Sequence, residues 1–417
     1  MPAAERRAIT SCVSRRRLIA SLVLFVVLGV AAATASGNAV GAHSTASSCA
    51  GGSSKRVAGN PLMLKTAPGS NPLNGATFFV DGPAHGAAAG AIASLVGLNP
   101  KSYGDDVSWT TFENQVTRAL RSHPSATRDV GLLEKIASEP DAQRISSYTD
   151  GGAPSGITKE TQKLLCDNIQ ADPGSVMMID TYFMRGTLKG HVTAGEIHSY
   201  MPLFEQRINA MVSAIGNHPV LLLLEEDAIG TSFGLSKDGA LGAWESMLRY
   251  EIDKVATLPH AVAYVEAGYS DANSPGYTAK VLNASGVRKI RGFWTNDTHL
   301  NWTINEINWG DKVSKLTHGA HFVINTGENG NGPKLNPHPG KQGVEDLCNA
   351  PDRALGPKPT TDTGYPEVDA YLWSSVPGNS SGCGGGPPGG DFWPAKAEGL
   401  AARANNRLGP HFKSEPY

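Results

Sequence analysis

The sequence has almost no net charge, which removes one group of functions at the outset. Its 36 basic and 38 acidic residues sum to −2 at neutral pH, so no bulk electrostatic attraction favours nucleic acid or an anionic membrane as a partner. Aromatic residues are also few, at 7%. Glycine (48) and proline (27) are abundant instead, a mixture that predicts long ordered loops or a disordered segment.

The hydrophobic run near the N-terminus is short for a transmembrane helix. It covers residues 18–30, follows three arginines and precedes Ala33-Thr34-Ala35, a pattern typical of a secretory signal peptide. We therefore predict a signal peptide over residues 1–35 with cleavage near Ala35, a low-complexity linker over residues 36–70 and one domain over residues 71–417. The protein is then expected to be secreted, with no membrane contact after signal removal.

Cysteine is scarce, and no two cysteines have the spacing of a metal site. Removal of the leader takes Cys12 with it and leaves four cysteines, which are Cys49, Cys166, Cys348 and Cys383. Without a Cys-x-x-Cys pair or a Cys/His pattern, structural disulfides are expected rather than zinc. The histidines also lack ligand spacing, so we expect no metal and no cofactor.

Strand-like and helix-like segments alternate along the chain. The predicted strands cover residues 76–81, 175–180, 220–224, 261–265, 290–294, 321–324 and 368–373, and residues 144–148 form a weaker candidate. Helical stripes lie between them, for example over residues 197–215 with Gly216 as the stop. This alternation predicts an α/β fold whose parallel sheet is covered on both faces and closed, or nearly closed, into a barrel.

Polar side chains follow most of these strands. The apolar run of residues 220–224 ends on Glu225, Glu226 and Asp227, where a parallel α/β fold collects its chemistry. A solvated acidic loop would give the same pattern, but similar residues follow the other strands. We predict one active face that holds Asp81, Asp180, Glu225, Glu226, Asp227, Glu266, Asn296 and Asn325.

Several motifs occur in a characteristic order. They are Leu-Glu-Glu-Asp-Ala-Ile at 224–229, Val-Glu-Ala-Gly-Tyr at 265–269, Asn-Thr-Gly-Glu-Asn-Gly-Asn-Gly-Pro at 325–333 and Val-Asp-Ala-Tyr-Leu-Trp at 368–373. Together they resemble family 6 of the glycoside hydrolases, the inverting cellulases and cellobiohydrolases. The resemblance implies a distorted (β/α) barrel of about seven parallel strands and a monomer that acts on a polysaccharide or oligosaccharide, namely a β-linked glucan or a related glycan.

The resemblance also implies roles for individual residues. Asp227 takes the place of the family's general acid, and Cys348 and Cys383 take the places of a disulfide. The expected sugar contacts are Tyr269, Trp294, Asn296, Trp302, Asn325 and Trp373. Cys49 and Cys166 are then a second candidate pair.

Departures from the family pattern are concentrated at the site. An inverting glycosidase needs a second carboxylate about 6.5–9.5 Å from the acid to activate water. The family's base segment matches residues 373–382, where Ser375, Asn379 and Ser381 replace a lysine, a glutamate and the expected base. The alternatives for a base or for a partner that tunes the acid's pKa are Asp180, Glu225, Glu226, Glu266 and Glu328.

Further replacements concern the electrostatics and the sugar platforms. Arg185 stands where the family has an aspartate that raises the acid's pKa, while Glu225 and Glu226 act in the opposite sense to an arginine. Ala272 and Leu347 stand in place of tryptophans. Two hypotheses follow: a glycosidase with a relocated base, or a catalytically degenerate member that binds carbohydrate without cleaving it.

Overall fold

The computed structural model describes residues 70–99, 107–235, 239–333 and 348–404. Its centre is a sheet of seven parallel strands, and each strand pairs with its neighbours in the chain. The strands are β1 (Gln143–Ser146), β2 (Met177–Tyr182), β3 (Val220–Leu224), β4 (Ala261–Glu266), β5 (Gly292–Thr295), β6 (His321–Asn325) and β7 (Val368–Leu372). The predicted α/β fold with about seven parallel strands in a distorted barrel is confirmed.

Helices lie between the strands and at both ends of the described chain. They are α1 (Ala87–Leu95), α2 (Trp109–Leu120), α3 (Thr127–Ala137), α4 (Pro154–Ala171), α5 (Met184–Thr187), α6 (Ala194–Ile215), α7 (Ala240–Val255), α8 (Pro275–Ser285), α9 (Thr303–Leu316) and α10 (Pro394–Arg403). Within the ranges given above, no helix is both long and apolar enough to cross a membrane. The predicted signal peptide and most of the predicted linker lie outside the described residues.

The prediction of a first strand over residues 76–81 is wrong. That segment makes only an isolated parallel bridge, between Phe78 and Val176, next to the start of β2. Further along β2, the edge is occupied by β1, which begins to pair with β2 at Gln143 and Ile179. The weaker candidate at residues 144–148 is therefore the true edge strand, and the number of strands stays at seven.

Alternating side chains of the strands fill two cores. In β3, Leu221 and Leu223 point into the barrel, whereas Val220, Leu222 and Leu224 pack against the surrounding helices. All five are buried, and full burial of such a side chain stabilises the fold by about 1.5–3 kcal/mol. This explains why the run has no polar alternation and why its first polar residue marks the end of the strand.

The helix before β3 has defined ends. Thr193 and Glu196 form a reciprocal capping box at the start of α6, and Gly216, with a positive φ of 55°, follows its last residue. A capping box satisfies two of the free amides at a helix start, and a positive φ is accessible to glycine at little cost. The predicted stop at Gly216 is confirmed.

The N-terminal end of the barrel is closed by a buried polar network around Asp369. Its carboxylate accepts a bidentate pair of hydrogen bonds from Arg291 (2.6 and 2.9 Å) and one from the hydroxyl of Tyr264 (2.7 Å), and it contacts His321 Nδ1 (3.1 Å). Burial alone would raise the pKa of Asp369, but the hydrogen bonds from Arg291 and His321 outweigh it and lower the pKa. Asp369 is thus ionised and fully coordinated inside the fold.

Asp369→Ala is expected to destabilise the protein by about 3–5 kcal/mol, because it leaves the buried charge of Arg291 without its partner. Since the folded-state pKa of Asp369 is lowered, its contribution is fully present above the unfolded value of about 3.9 and is lost as the pH falls through the folded value. Urea unfolding at neutral and acidic pH measures both effects. Asp253→Ala, which breaks an exposed ion pair with Lys289, is the control and should cost less than about 1 kcal/mol. Equal losses in the two variants would contradict this account.

Candidate active site

Asp227 lies at the C-terminal edge of the sheet, three residues after β3, and is held at three points. Its amide donates to Asp297 Oδ2 (2.9 Å), its carbonyl oxygen accepts from the hydroxyl of Thr231 (2.5 Å) and its Oδ1 accepts from the hydroxyl of Tyr269 (2.5 Å). Its φ of +64° lies in the left-handed region, which is uncommon for a residue other than glycine. The side chain is half-buried. Asp227 is therefore a fixed carboxyl group that solvent can reach.

Tyr269, one of the expected sugar contacts, is itself fixed. Its ring stacks on the imidazole of His299 with the centroids 3.7 Å apart and the planes 4° apart, and His299 Nδ1 lies 2.9 Å from Asp271 Oδ1. Burial, followed by the charges of Asp297 and Asp227, raises the pKa of Tyr269 well above its ordinary value. Tyr269 thus stays a neutral phenol that donates a hydrogen bond to Asp227.

Two of the predicted alternatives, Glu225 and Glu266, are anchors for loops. Both are fully buried and accept hydrogen bonds from backbone amides. The donors are Phe183 and Met184 for Glu225, and Ile229, Gly230 and Gly268 for Glu266. Burial raises the pKa of each to about 8. Neither carboxyl group reaches solvent, so neither is placed to activate a water molecule, contrary to the sequence-based hypothesis.

Asp180 and Glu226 share one cation, Arg144, which comes from the edge strand β1. Arg144 Nε donates to Asp180 Oδ2 (2.7 Å), and its Nη2 donates to Glu226 Oε2. Burial raises the pKa of Asp180 to about 6; Arg144 opposes this shift and the charge of Asp227 adds to it. Asp180 is therefore a buried electrostatic neighbour of Asp227.

Burial lowers the pKa of Arg185 and the charge of Asp227 opposes this shift, so the two groups interact electrostatically. Among the described residues no ion pair joins the two. The Arg185 guanidinium instead donates to the hydroxyl and carbonyl oxygens of Thr231 (2.6 and 3.1 Å) and lies over the ring of Trp244 at 4.6 Å. It connects the loop after β2 to the loop after β3.

Glu328 follows β6 at the C-terminal edge of the sheet, beside the segment that matches the family's base loop. Its Oε1 accepts from the amide of Gly378 (2.8 Å), and its Oε2 lies 3.0 Å from Lys396 Nζ. Lys396 also donates to the carbonyl oxygen of Asn379 (2.7 Å). The side chain of Glu328 is 16% exposed, whereas that of Asp180 is 0% exposed.

The Cys348–Cys383 disulfide is confirmed, with the Cα atoms 6.0 Å apart. It ties down the end of the segment that contains Ser381, whose amide donates to Asn349 Oδ1 (2.8 Å). Cys166 is disulfide-bonded as well. Its pairing with Cys49 stays a prediction, because Cys49 lies outside the described residues.

The tryptophans predicted to contact sugar belong to the core. Trp294, Trp302 and Trp373 are each at most 2% exposed, and the indole N–H groups of Trp294 and Trp373 donate to backbone carbonyl oxygens (both 3.1 Å). A ring buried on both faces cannot stack on a sugar. The family resemblance implied these contacts, but it carried no signal for the direction in which the rings point.

Asn296 and Asn325 join two neighbouring loops. Asn296 Nδ2 donates to the carbonyl oxygen of Asn325 (3.0 Å), and Asn325 Nδ2 donates back to that of Asn296 (3.1 Å). Asn296 is fully buried and Asn325 is 9% exposed. The pair shapes the active face, and Asn325 alone of the two reaches its surface.

Sequence reasoning missed Asp297 and misplaced Asp81. Burial, together with the charges of Glu266 and Asp227, raises the pKa of Asp297 well above its ordinary value; its position next to Asn296 at a strand end was the available signal. Asp81 instead lies among Asp141, His85 and Lys163. These neighbours precede β1 or lie on α4, and none of them comes from the loops after β2 and β3.

Comparisons with known proteins agree on one family. The family model described as "Glycosyl hydrolases family 6" matches residues 184–404. The chain is 27% identical over 296 residues to "Endoglucanase A" of Cellulomonas fimi and covers 61% of that protein's length, using 70% of its own. It is 28% identical over 284 residues to "Endoglucanase 1" of Streptomyces sp. (strain KSM-9), with 68% of this chain and 74% of the relative covered.

A solved structure is similar over a larger part of the chain. The endoglucanase Cel6 from Mycobacterium tuberculosis, in complex with methyl-cellobiosyl-4-deoxy-4-thio-β-D-cellobioside, superposes with a TM-score of 0.63 at 28% identity. The match covers 80% of this chain and 99% of that one. The structures of "Endoglucanase CEL6B" from Humicola insolens share the fold at 16% identity, with a TM-score of 0.59.

Proposed function

Because the chain belongs to family 6 of the glycosyl hydrolases, we propose that it is a glycosidase that cleaves β-linked glucan or a related polysaccharide. The observation that carries this proposal is Asp227, a half-buried carboxyl group held at its amide, its carbonyl and its side chain on the active face. The relatives named above are endoglucanases, and one of them was solved with a thio-cellobioside. A glucan substrate for this chain is the simplest extension of those names.

Asp227 is the proton donor in the proposed mechanism. In an inverting glycosidase one carboxylic acid protonates the leaving oxygen while a second carboxylate activates a water molecule on the opposite face of the sugar. Asp227 is accessible, whereas Glu225 and Glu266 beside it are not. Tyr269 and Thr231 fix the orientation of the acid, which is what a near-attack geometry requires.

Glu328 is the proposed base. Of the five carboxyl groups considered from the sequence, Asp180, Glu225 and Glu266 are fully buried, whereas the side chains of Glu226 and Glu328 are 14% and 16% exposed. Glu226 directly precedes Asp227 and is paired with Arg144, which leaves Glu328 as the candidate beside the base segment. It binds Gly378 and lies next to Asn379, so it stands against the loop that aligns with the family's base segment. Lys396 holds the carboxylate in place from α10.

The proposed enzyme is exported through the signal over residues 1–35 and acts outside the cell as a monomer. A screen of the purified mature protein against structurally diverse polysaccharides, with detection of new reducing ends, tests the activity. Release of reducing ends that is lost in Asp227→Asn supports the proposal, and absence of release from every glycan would reject it.

A second candidate is a carbohydrate-binding protein without turnover. It is favoured by Ser375, Asn379 and Ser381, which leave the family's base segment without an ionisable side chain. Affinity electrophoresis against the same polysaccharides separates the two hypotheses. Retardation without release of reducing ends would favour binding alone.

Affinity for crystalline cellulose is expected to be low. Ala272 is exposed where the family has a stacking tryptophan, and Leu347, outside the described residues, stands at a second such position. If sugar stacking resembles other aromatic platforms, each loss costs about 1–3 kcal/mol of binding energy. Retention on microcrystalline cellulose should be weak and should rise in Ala272→Trp, with Ala272→Leu as the control for added apolar bulk. Tight retention of the unaltered protein would contradict this prediction.

A further inference from the structure

The guanidinium of Arg185 donates hydrogen bonds to residues of two loops. Nε and Nη2 donate to the hydroxyl and carbonyl oxygens of Thr231 (2.6 and 3.1 Å), and Nη1 donates to the carbonyl oxygens of Leu188 and Gly190 (3.4 and 3.1 Å). The side chain is 8% exposed and covers the ring of Trp244. A planar, rigid fork of this kind loses little entropy when it binds two oxygens of one residue.

The hydroxyl of Thr231 relays this contact to Asp227. Arginine can only donate hydrogen bonds, so Thr231 Oγ1 must act as the acceptor from Arg185. Its single hydrogen is then directed to the carbonyl oxygen of Asp227, 2.5 Å away. The Thr231 amide donates to the same oxygen at 3.3 Å.

Asp227 needs such support because its backbone conformation is disfavoured. A non-glycine residue in the left-handed region is strained and persists only when its surroundings fix it. Asp297 holds the amide on one side of Asp227, and Thr231 holds the carbonyl on the other. The direction of the carboxyl group follows from the orientation of the two peptide planes.

We infer that Thr231, oriented by Arg185, is a positioning residue for the proton donor Asp227. This inference rests on the proposed function where it concerns turnover. It assigns Arg185 the task of fixing the acid's loop, at the position where the family has an aspartate.

The test compares Thr231→Val with Thr231→Ser. Valine is nearly isosteric but removes both the acceptor for Arg185 and the donor to Asp227, whereas serine keeps the hydroxyl. Since a displacement of about 1 Å can cost roughly 10²-fold in rate, we expect kcat on an unactivated oligosaccharide to fall by about 10–10²-fold in Thr231→Val. KM should stay within about threefold, and Thr231→Ser should stay within about threefold in both constants. A 2,4-dinitrophenyl glycoside, which departs without protonation, should show a much smaller loss in Thr231→Val.

Arg185→Met provides a second, independent arm. If both side chains act through one relay, the double variant Arg185→Met/Thr231→Val should be no slower than the slower single variant. Multiplied losses in the double variant would overturn the relay.

Hydrogen exchange tests the same relay without any substrate. Amides in the loop 227–232 should exchange about tenfold faster in Thr231→Val than in Thr231→Ser, whereas amides in the strands of the sheet should exchange at the same rate in both variants. If the unaltered protein cleaves no glycan, the proposed function fails but this measurement still decides the relay. Equal exchange in the two Thr231 variants would overturn the inference even if the enzyme is active.

Discussion

Asp227→Asn is expected to reduce turnover of an unactivated glycan by about 10²–10⁴-fold, the usual contribution of general acid catalysis. Asparagine keeps the size of the side chain and an oxygen that can accept from Tyr269, but it carries no acidic proton. A substrate with a dinitrophenolate leaving group departs without protonation and should lose much less. The contrast between the two substrates, measured as kcat/KM, identifies the lost step as proton donation.

The control for this experiment is a measurement of the stability of the folded variant. The free energy of unfolding of Asp227→Asn should lie within about 1 kcal/mol of that of the unaltered protein, because the backbone contacts of residue 227 to Asp297 and Thr231 remain. Equal losses on both substrates, or a variant with unaltered activity, would remove Asp227 from the role. The family relationship would then describe the fold of this chain but not its chemistry.

Glu328→Gln is expected to reduce turnover of both kinds of substrate, by about 10²-fold or more, because a better leaving group does not replace an activated nucleophile. Azide is nucleophilic without a base and should restore part of the rate on the dinitrophenyl substrate. In an inverting mechanism azide enters on the face opposite the leaving group, so a β-glycoside should yield an α-glycosyl azide. NMR of the product determines that configuration.

Asp180→Asn is the matched control for the base. Asp180 also lies on the active face, but its side chain is fully buried and its Oδ2 is bound to Arg144. Because Asp180 does not reach solvent, azide should restore no activity in this variant. Rescue of Asp180→Asn, with an unaffected Glu328→Gln, would transfer the base to Asp180.

The sequence predicted structure best where all residues of a segment have the same surroundings in the fold. Val220–Leu224 is buried on both faces, so its composition alone indicated a parallel strand, and the three acidic residues after it had to lie at the C-terminal edge. Gly216 ended the preceding helix for a local steric reason. The Cys348–Cys383 pair and the role of Asp227 came from the family resemblance and not from periodicity.

Other features depend on packing that no local pattern encodes. Gln143–Ser146 is only four residues long and contains three polar side chains, so residues 76–81 looked more like a strand. Glu251 and Glu306 are fully buried beneath the active face, yet both lie on helices, where an acidic residue usually indicates solvent exposure. Their partners, Thr181 and Thr295, directly follow Asp180 and Trp294 at strand ends, and nothing in the local sequence of the two helices indicates these contacts.

The strand order has a consequence for how the protein acquires its site. Because each strand pairs with its neighbour in the chain, the sheet can grow in the direction of synthesis, with short loops closed first. The residues around the proposed acid are Asp180, Arg185, Asp227 and Asp297. All of them are present once the chain has folded through β5 and the start of the loop that follows it. The surroundings of the proposed base form later, because Glu328 is held by Gly378 and by Lys396 on α10. A folding intermediate that ends before α10 therefore contains the proposed proton donor without the contacts that hold the proposed base, so under the proposed function hydrolytic competence is acquired last.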